Sequence, residues 1–156
     1  MNYKDTRIKK SIEVLHSFFS VSKLATEFTK RNAEELGITF QQLSIINTLR
    51  MNKGITLKKL SEKLSIQLSI SSLSLIIEKL VGLKLVEREI SDTDRRAVKL
   101  KLTDAGIEIS KKSQEKAYSY RAMTSALENM KEEDIDTLLR LHNELLGNLK
   151  QIEIAK

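Results

Sequence analysis

The sequence predicts a mainly α-helical chain with one small β-hairpin. Apolar residues recur at three- and four-residue spacing through most of its 156 positions. Only two short stretches, LKLVEREI (83–90) and AVKLKLT (97–103), read as strands, and the polar segment SDTDRR lies between them. There is no proline. Gly37, Gly54, Gly82, Gly106 and Gly147 therefore supply most of the punctuation, each near an apparent element end.

The first helix is expected over 6–35. Ile8, Ile12, Leu15 and Phe19 recur at helical spacing, and Leu24 and Phe28 continue the apolar content. Gly37 breaks it. Thr39 then stands three residues before Gln42, a capping-box pattern that opens a second helix carrying Leu43, Ile45, Ile46 and Leu49. That helix ends before Gly54. Thr56 caps a third helix, LKKLSEKL, with Leu57, Leu60 and Leu64 inward.

SIQLSISSLSLIIEKL (65–80) has two readings. As a strand, Ile66, Leu68 and Ile70 would share one face, but the alternation fails at Ser71 and Ser72. As a helix from about Ser69, the residues Ile70, Leu73, Ile77 and Leu80 form one stripe that Ile76 widens. Ser69 is then the N-cap, with Leu68 and Leu73 placed as a hydrophobic staple. The helix is the better reading.

In the second strand Val98, Leu100 and Leu102 share one face. Thr103 caps the next helix, expected from about 104 to 127. A last helix covers about 131–150, with Ile135, Leu138, Leu139, His142, Leu145, Leu146 and Leu149 along one stripe. The middle of the chain, 56–102, is thus a helix–turn–helix followed by a β-wing.

The 27 Lys and Arg against 21 Asp and Glu give a net charge of +6, which favours an anionic partner or simply a soluble basic surface. No apolar run approaches the roughly 20 residues that span a bilayer, and the N-terminus does not read as a signal peptide. The chain has no cysteine, which excludes disulfides, thiol redox sensing and Cys-ligated zinc, and fits a cytoplasmic protein. No phosphate-binding glycine loop, nucleophile–base signature or metal-ligand spacing is visible, so no enzyme activity, metal or cofactor is expected.

The serines suggest a use for the fourth helix. Ser71, Ser72, Ser74, Leu75, Glu78 and Lys79 point away from its apolar stripe. A helix entering a DNA major groove, roughly 12 Å wide, gains from such a slim outer face. Serine hydroxyls suit both base edges and phosphates, and Leu75 suits a thymine methyl. The plainer alternative is a solvated face with Leu75 packed on a neighbour. The wing adds Arg95 and Arg96 at its tip, with Lys99 and Lys101 on the return strand. An arginine there suits a narrow minor groove, and Asp92 and Asp94 can direct it. The plainer alternative is a polar turn with local ion pairs worth little.

These segments resemble the MarR family of winged helix–turn–helix regulators over most of the chain. ELGITFQQLSIINTL (35–49) is similar to that family's second helix, ITLKKLSEKL (55–64) to the first helix of its DNA-binding pair, and SSLSLIIEKLVGLKLVER (71–88) to its recognition helix and first wing strand. DTDRRAVKLKLTDAG (92–106) matches the most diagnostic stretch, an acidic-plus-arginine wing followed by LT..G. Leu75 stands where the family often has a basic residue, and SIQLSI (65–70) is about two residues longer than the usual turn.

The resemblance implies one MarR-like domain over 1–156: a DNA-binding lobe at 39–102 flanked by dimerisation helices at 1–35 and 104–156. It implies a homodimer on pseudo-palindromic double-stranded DNA. Ser71, Ser72 and Ser74 would face bases and nearby phosphates, Arg95 would be the minor-groove residue of the wing tip, Arg96 would support it or contact phosphate, and Asp94 would orient the wing. Leu75, Lys79 and Lys99 complete the expected DNA-facing set. Release by a small aromatic or anionic effector is also implied, with no ligand residue assigned. The rival readings are an enzyme, which detectable turnover would support, and a winged-helix module that binds a protein without specific DNA binding.

Overall fold

In the computed structural model, which describes residues 6–90 and 98–152, the order is α1 (Thr6–Glu35), α2 (Phe40–Met51), β1 (Ile55–Thr56), α3 (Leu57–Lys63), α4 (Ile70–Gly82), β2 (Val86–Ile90), β3 (Val98–Leu102), α5 (Asp104–Lys116), α6 (Tyr118–Leu127) and α7 (Glu132–Lys150). Four of these helices start directly after a hydroxyl side chain. Thr39, Thr56, Ser69 and Thr103 each accept a hydrogen bond from the backbone amide three residues on. Such a cap is worth about 1 kcal/mol. At Thr39 the Gln42 side chain also accepts from the cap's own N–H, completing the capping box.

The chain divides into two compact units, 1–119 and 120–156. In the first, α2, α3 and α4 enclose a core with the sheet. Ile45, Ile46, Leu49, Leu60, Leu73, Ile77, Leu80, Val86 and Leu100 are buried together, each contributing about 1.5–3 kcal/mol. The sheet is antiparallel in the order β1-β3-β2, with Val86 opposite Leu102, Arg88 opposite Leu100 and Ile90 opposite Val98. The lobe is joined to α5 at close range. Thr103 donates to the Lys84 carbonyl, the Thr103 amide donates to the Leu85 carbonyl, and Gly106 lies against that same Leu85 carbonyl.

Within the second unit, no residue of α7 is buried, and Leu138, Leu139, Leu141, Leu146 and Leu149 are exposed. Three acidic residues, Glu132, Glu133 and Asp134, occupy the first turn of α7, where they complement the helix dipole.

The expected hairpin is β2 with β3, and Ile55 and Thr56 add a third strand by pairing with Leu100 and Lys99. Three expectations need correction. The first wing strand starts at Val86, since α4 closes on Leu83 and Lys84 turns left-handed, with φ 58°. Ile70 is exposed rather than inward, because it opens the helix ahead of the core. The helix expected over 104–127 is two helices, broken at Ala117, which adopts φ 38° and ψ 44°.

Glu35, at the end of α1, accounts for that break. It accepts hydrogen bonds from Lys116 Nζ and from Tyr118 Oη, the latter at 2.8 Å, while Arg31 lies over the Tyr118 ring. On one continuous helix, positions 116 and 118 diverge by about 200° and could not both reach one carboxylate. Hydrogen bonds from Lys116 and Tyr118 hold the Glu35 carboxyl below its usual range, and Glu35 holds Lys116 above its own. A left-handed alanine is strained. Ala117→Gly is therefore expected to raise stability by about 1 kcal/mol, read by urea unfolding. No gain would mean that the turn carries no strain.

Candidate nucleic-acid interface

At about 100° per residue, the buried face of α4 is Leu73, Ile77 and Leu80. Leu75 sits at the centre of the opposite face, 60% exposed, with Ser71 and Lys79 close on either side. Ser72 lies toward the Lys79 flank. Ser74 and Glu78 lie on the other flank, toward the wing.

The two serine flanks differ. The exposed Ser72 Oγ accepts from Ser69 Oγ at 2.9 Å, and the Ser72 amide donates to Ser69 Oγ. The Ser72 hydroxyl, exposed and able both to donate and to accept, keeps hydrogen-bonding capacity for an outside partner. The first amides of α4 have no intrahelical acceptor, which suits an anion at this end. Ser74 is half-buried. It lines a cleft of about 170 Å³ between α4 and the wing with Leu57, Ile77, Arg88, Val98 and Leu100. Arg88 reaches back to Glu78 at 4.0 Å, a solvent-exposed pair worth little.

The wing's two faces have different chemistry. Val98 and Leu100 line the cleft against α4. Lys99, one residue on, points the other way. There its stem passes over Gly54, 3.8 Å from where a Cβ would stand. Lys101 shares that face, bridged to Glu87 and Glu89 at 3.4 Å each. Hydrogen bonds to Glu87 and then Glu89 hold its ammonium above the usual lysine value. Gly54, Glu89, Lys99 and Lys101, together with Arg50, Lys53, Met51 and Ile107, surround a cavity of about 690 Å³.

The structure thus brings Ser71, Ser72, Leu75 and Lys79 onto one exposed surface, with Ser74 beside it in the cleft. It sets Lys99 apart from them. Asp94, Arg95 and Arg96 lie outside the described residues. The sequence reading missed Arg88, which the pairing to Leu100 turns toward α4, and the exposed Lys58 and Lys59 at the start of α3. Strand parity could have found Arg88. Among the described residues no group of three or more His, Asp or Glu could hold a metal ion, and no helix is long and apolar enough to cross a membrane.

A family model described as the MarR family matches residues 36–97. The chain is similar to the crystal structure of a multiple antibiotic-resistance repressor (MarR) from Listeria monocytogenes. The two are 31% identical with TM-score 0.64, over 95% of this chain and 100% of that one. It shares its fold with a putative MarR-like transcription regulator from Bacillus cereus, at 19% identity and TM-score 0.76 over 90% of this chain and 99% of that one. It also shares it with a mutant MarR from E. coli complexed with operator DNA, at 22% identity and TM-score 0.74 over 91% and 99%. No curated protein matches the chain in sequence.

Proposed function

The chain belongs to the MarR family of transcription regulators, and from that premise we propose that it is a cytoplasmic repressor binding double-stranded DNA sequence-specifically as a homodimer on a pseudo-palindromic operator. The observation that carries this reading is the outward face of α4: Ser71, Ser72, Leu75 and Lys79 are all exposed on a helix flanked by a wing. Such a face fits a major groove, where serine hydroxyls meet base edges and phosphates and a leucine meets a thymine methyl. The N-terminus of α4 and Lys79 neutralise phosphates. Arg95 enters the minor groove, Arg96 adds a phosphate contact, and Asp94 orients the tip, while Lys99, expected beside them, faces away from α4.

The dimer is supported by apolar surface that one chain does not cover. On α1, Phe19 is 62% exposed and Leu24 57%, and Val14, Leu15, Val21 and Phe28 are exposed as well. Patches on this scale mark interfaces. The flanking segments 1–35 and 104–156 are read as the dimerisation helices, and two-fold pairing sets the recognition helices about one DNA turn, roughly 34 Å, apart. Release by a small effector is supported by the cavity of about 690 Å³, a size suited to small molecules. Its rim of Arg50, Lys53 and Lys99 suits an anion. Family membership points away from an enzyme.

Arg95→Ala is expected to weaken operator binding tenfold or more, about 1–3 kcal/mol, and to flatten the salt dependence by about one unit of slope. The dimer should remain folded. Titration of the selected operator by fluorescence anisotropy reads both quantities. Wild-type affinity in the variant would remove the wing from the DNA contact.

A further inference from the structure

The first unit holds a polar cluster, buried except for the half-buried Asn47, for which DNA contact has no use. Asn32 of α1, Asn47 of α2, and Ser110 and Ser113 of α5 meet where these three helices cross. Asn32 Nδ2 donates to the Ser113 carbonyl at 3.0 Å and to Ser113 Oγ at 3.2 Å. Asn47 Nδ2 donates to the same Oγ at 3.4 Å, and Ser110 Oγ donates to Asn47 Oδ1 at 3.0 Å. A carbonyl only accepts, so the Asn32 amide must present its nitrogen to Ser113. Its oxygen is thereby left buried, with no donor among the described residues.

Such a cluster is a poor way to gain stability. A buried acceptor without a donor is costly, and apolar residues of similar volume would pack as well or better. What hydrogen bonds supply instead is direction. Apolar helix contacts tolerate sliding and rotation, whereas a forked amide on a carbonyl and a hydroxyl accepts one register. Here that register links α1 and α5 to α2, the first helix packed into the DNA-reading lobe.

We propose that Asn32, Asn47, Ser110 and Ser113 are positioning residues for DNA recognition: they fix the orientation of the lobe on α1 and α5, and through it the half-site separation that the dimer accepts. The proposal rests on the reading of the chain as a dimeric DNA-binding regulator, and names residues outside the DNA surface that set its specificity.

The chain has no cysteine, so a pair of labelled cysteines reports cleanly on this joint. Lys23→Cys on α1 and Lys58→Cys on α3, both exposed, carry spin labels, and dilution with unlabelled chain leaves intramolecular distances. The expected distribution is narrow in the parent. It widens roughly twofold in Asn32→Leu, with melting temperature equal or higher, and less in Ser110→Ala, which removes one hydrogen bond and little volume. On DNA, operators shortened or lengthened by a base pair should gain about tenfold relative to the parent spacing in Asn32→Leu. Unchanged distance widths in the folded variants, with or without a loss of melting temperature, overturn the proposal. If Asn32→Leu does not fold, Ser110→Ala decides. If the parent binds no specific DNA, the functional reading fails on its own, and broadened distances would still identify the joint.

Discussion

Ser72→Glu is expected to abolish specific DNA binding, by about 100-fold or more, while leaving the protein as stable as before or slightly more so. The two halves of this expectation come from one position. Ser72 is the third residue of α4, and its amide donates to the Ser69 side chain. A glutamate there completes a capping box with Ser69, because its carboxylate can reach back to the Ser69 amide. It also places a negative charge near the positive end of the helix dipole, worth up to about 1 kcal/mol. The same carboxylate stands on the exposed face read as entering the major groove, where it meets phosphates of like sign and base acceptors it cannot donate to. Thermal melting and operator titration on one preparation separate the effects. Retained operator binding in a folded Ser72→Glu protein would show that this face does not approach DNA.

Gly106→Ala is expected to cost about 2–4 kcal/mol. A Cβ at Gly106 would stand 2.1 Å from the Leu85 carbonyl oxygen and 3.3 Å from Leu102 Cδ2. The nearer obstacle is backbone, so it cannot turn aside as a side chain would. Nor can that carbonyl shift freely, since it accepts from the Thr103 amide at 3.1 Å, while Thr103 Oγ1 donates to the Lys84 carbonyl at 2.6 Å and caps α5 at the Gly106 amide. Threonine and glycine in LT..G thus do separate jobs at one seam: one ties α5 to the lobe, the other lets it come close. Urea unfolding of Gly106→Ala against the parent measures the cost. A loss under about 0.5 kcal/mol would mean that α5 can back away from Leu85 cheaply.

The features visible in the sequence share a local cause. Thr39, Thr56, Ser69 and Thr103 mark their helices because a hydroxyl bonds to an amide three residues away, and nothing distant is needed. The slim face of α4 follows from its stripe of Leu73, Ile77 and Leu80. The features that escaped notice are decided across long separations. Ala117 is an excellent helix former in isolation, and only the meeting of Lys116 and Tyr118 at Glu35, more than eighty positions earlier, breaks the helix there. Ile55 and Thr56 become a strand only because Leu100 and Lys99 lie beside them. Lys99 reads as part of one basic wing, yet strand parity sends it to the face away from α4. Asn32 reads as one more polar residue among Lys30, Arg31, Glu34 and Glu35 until Ser113 is known to touch it.

The central claim is that the face of α4 reads operator sequence. Selection of bound sites from random and genomic DNA fragments at fixed, near-physiological salt, followed by salt titration of the best site, tests it most directly. The account predicts a pseudo-palindrome with half-sites about one helical turn apart, bound roughly 10³-fold or more over non-specific DNA. Weak, sequence-blind binding that disappears as salt rises would contradict it, and would leave the basic surface as a source of solubility and the winged helix as a surface for a protein partner.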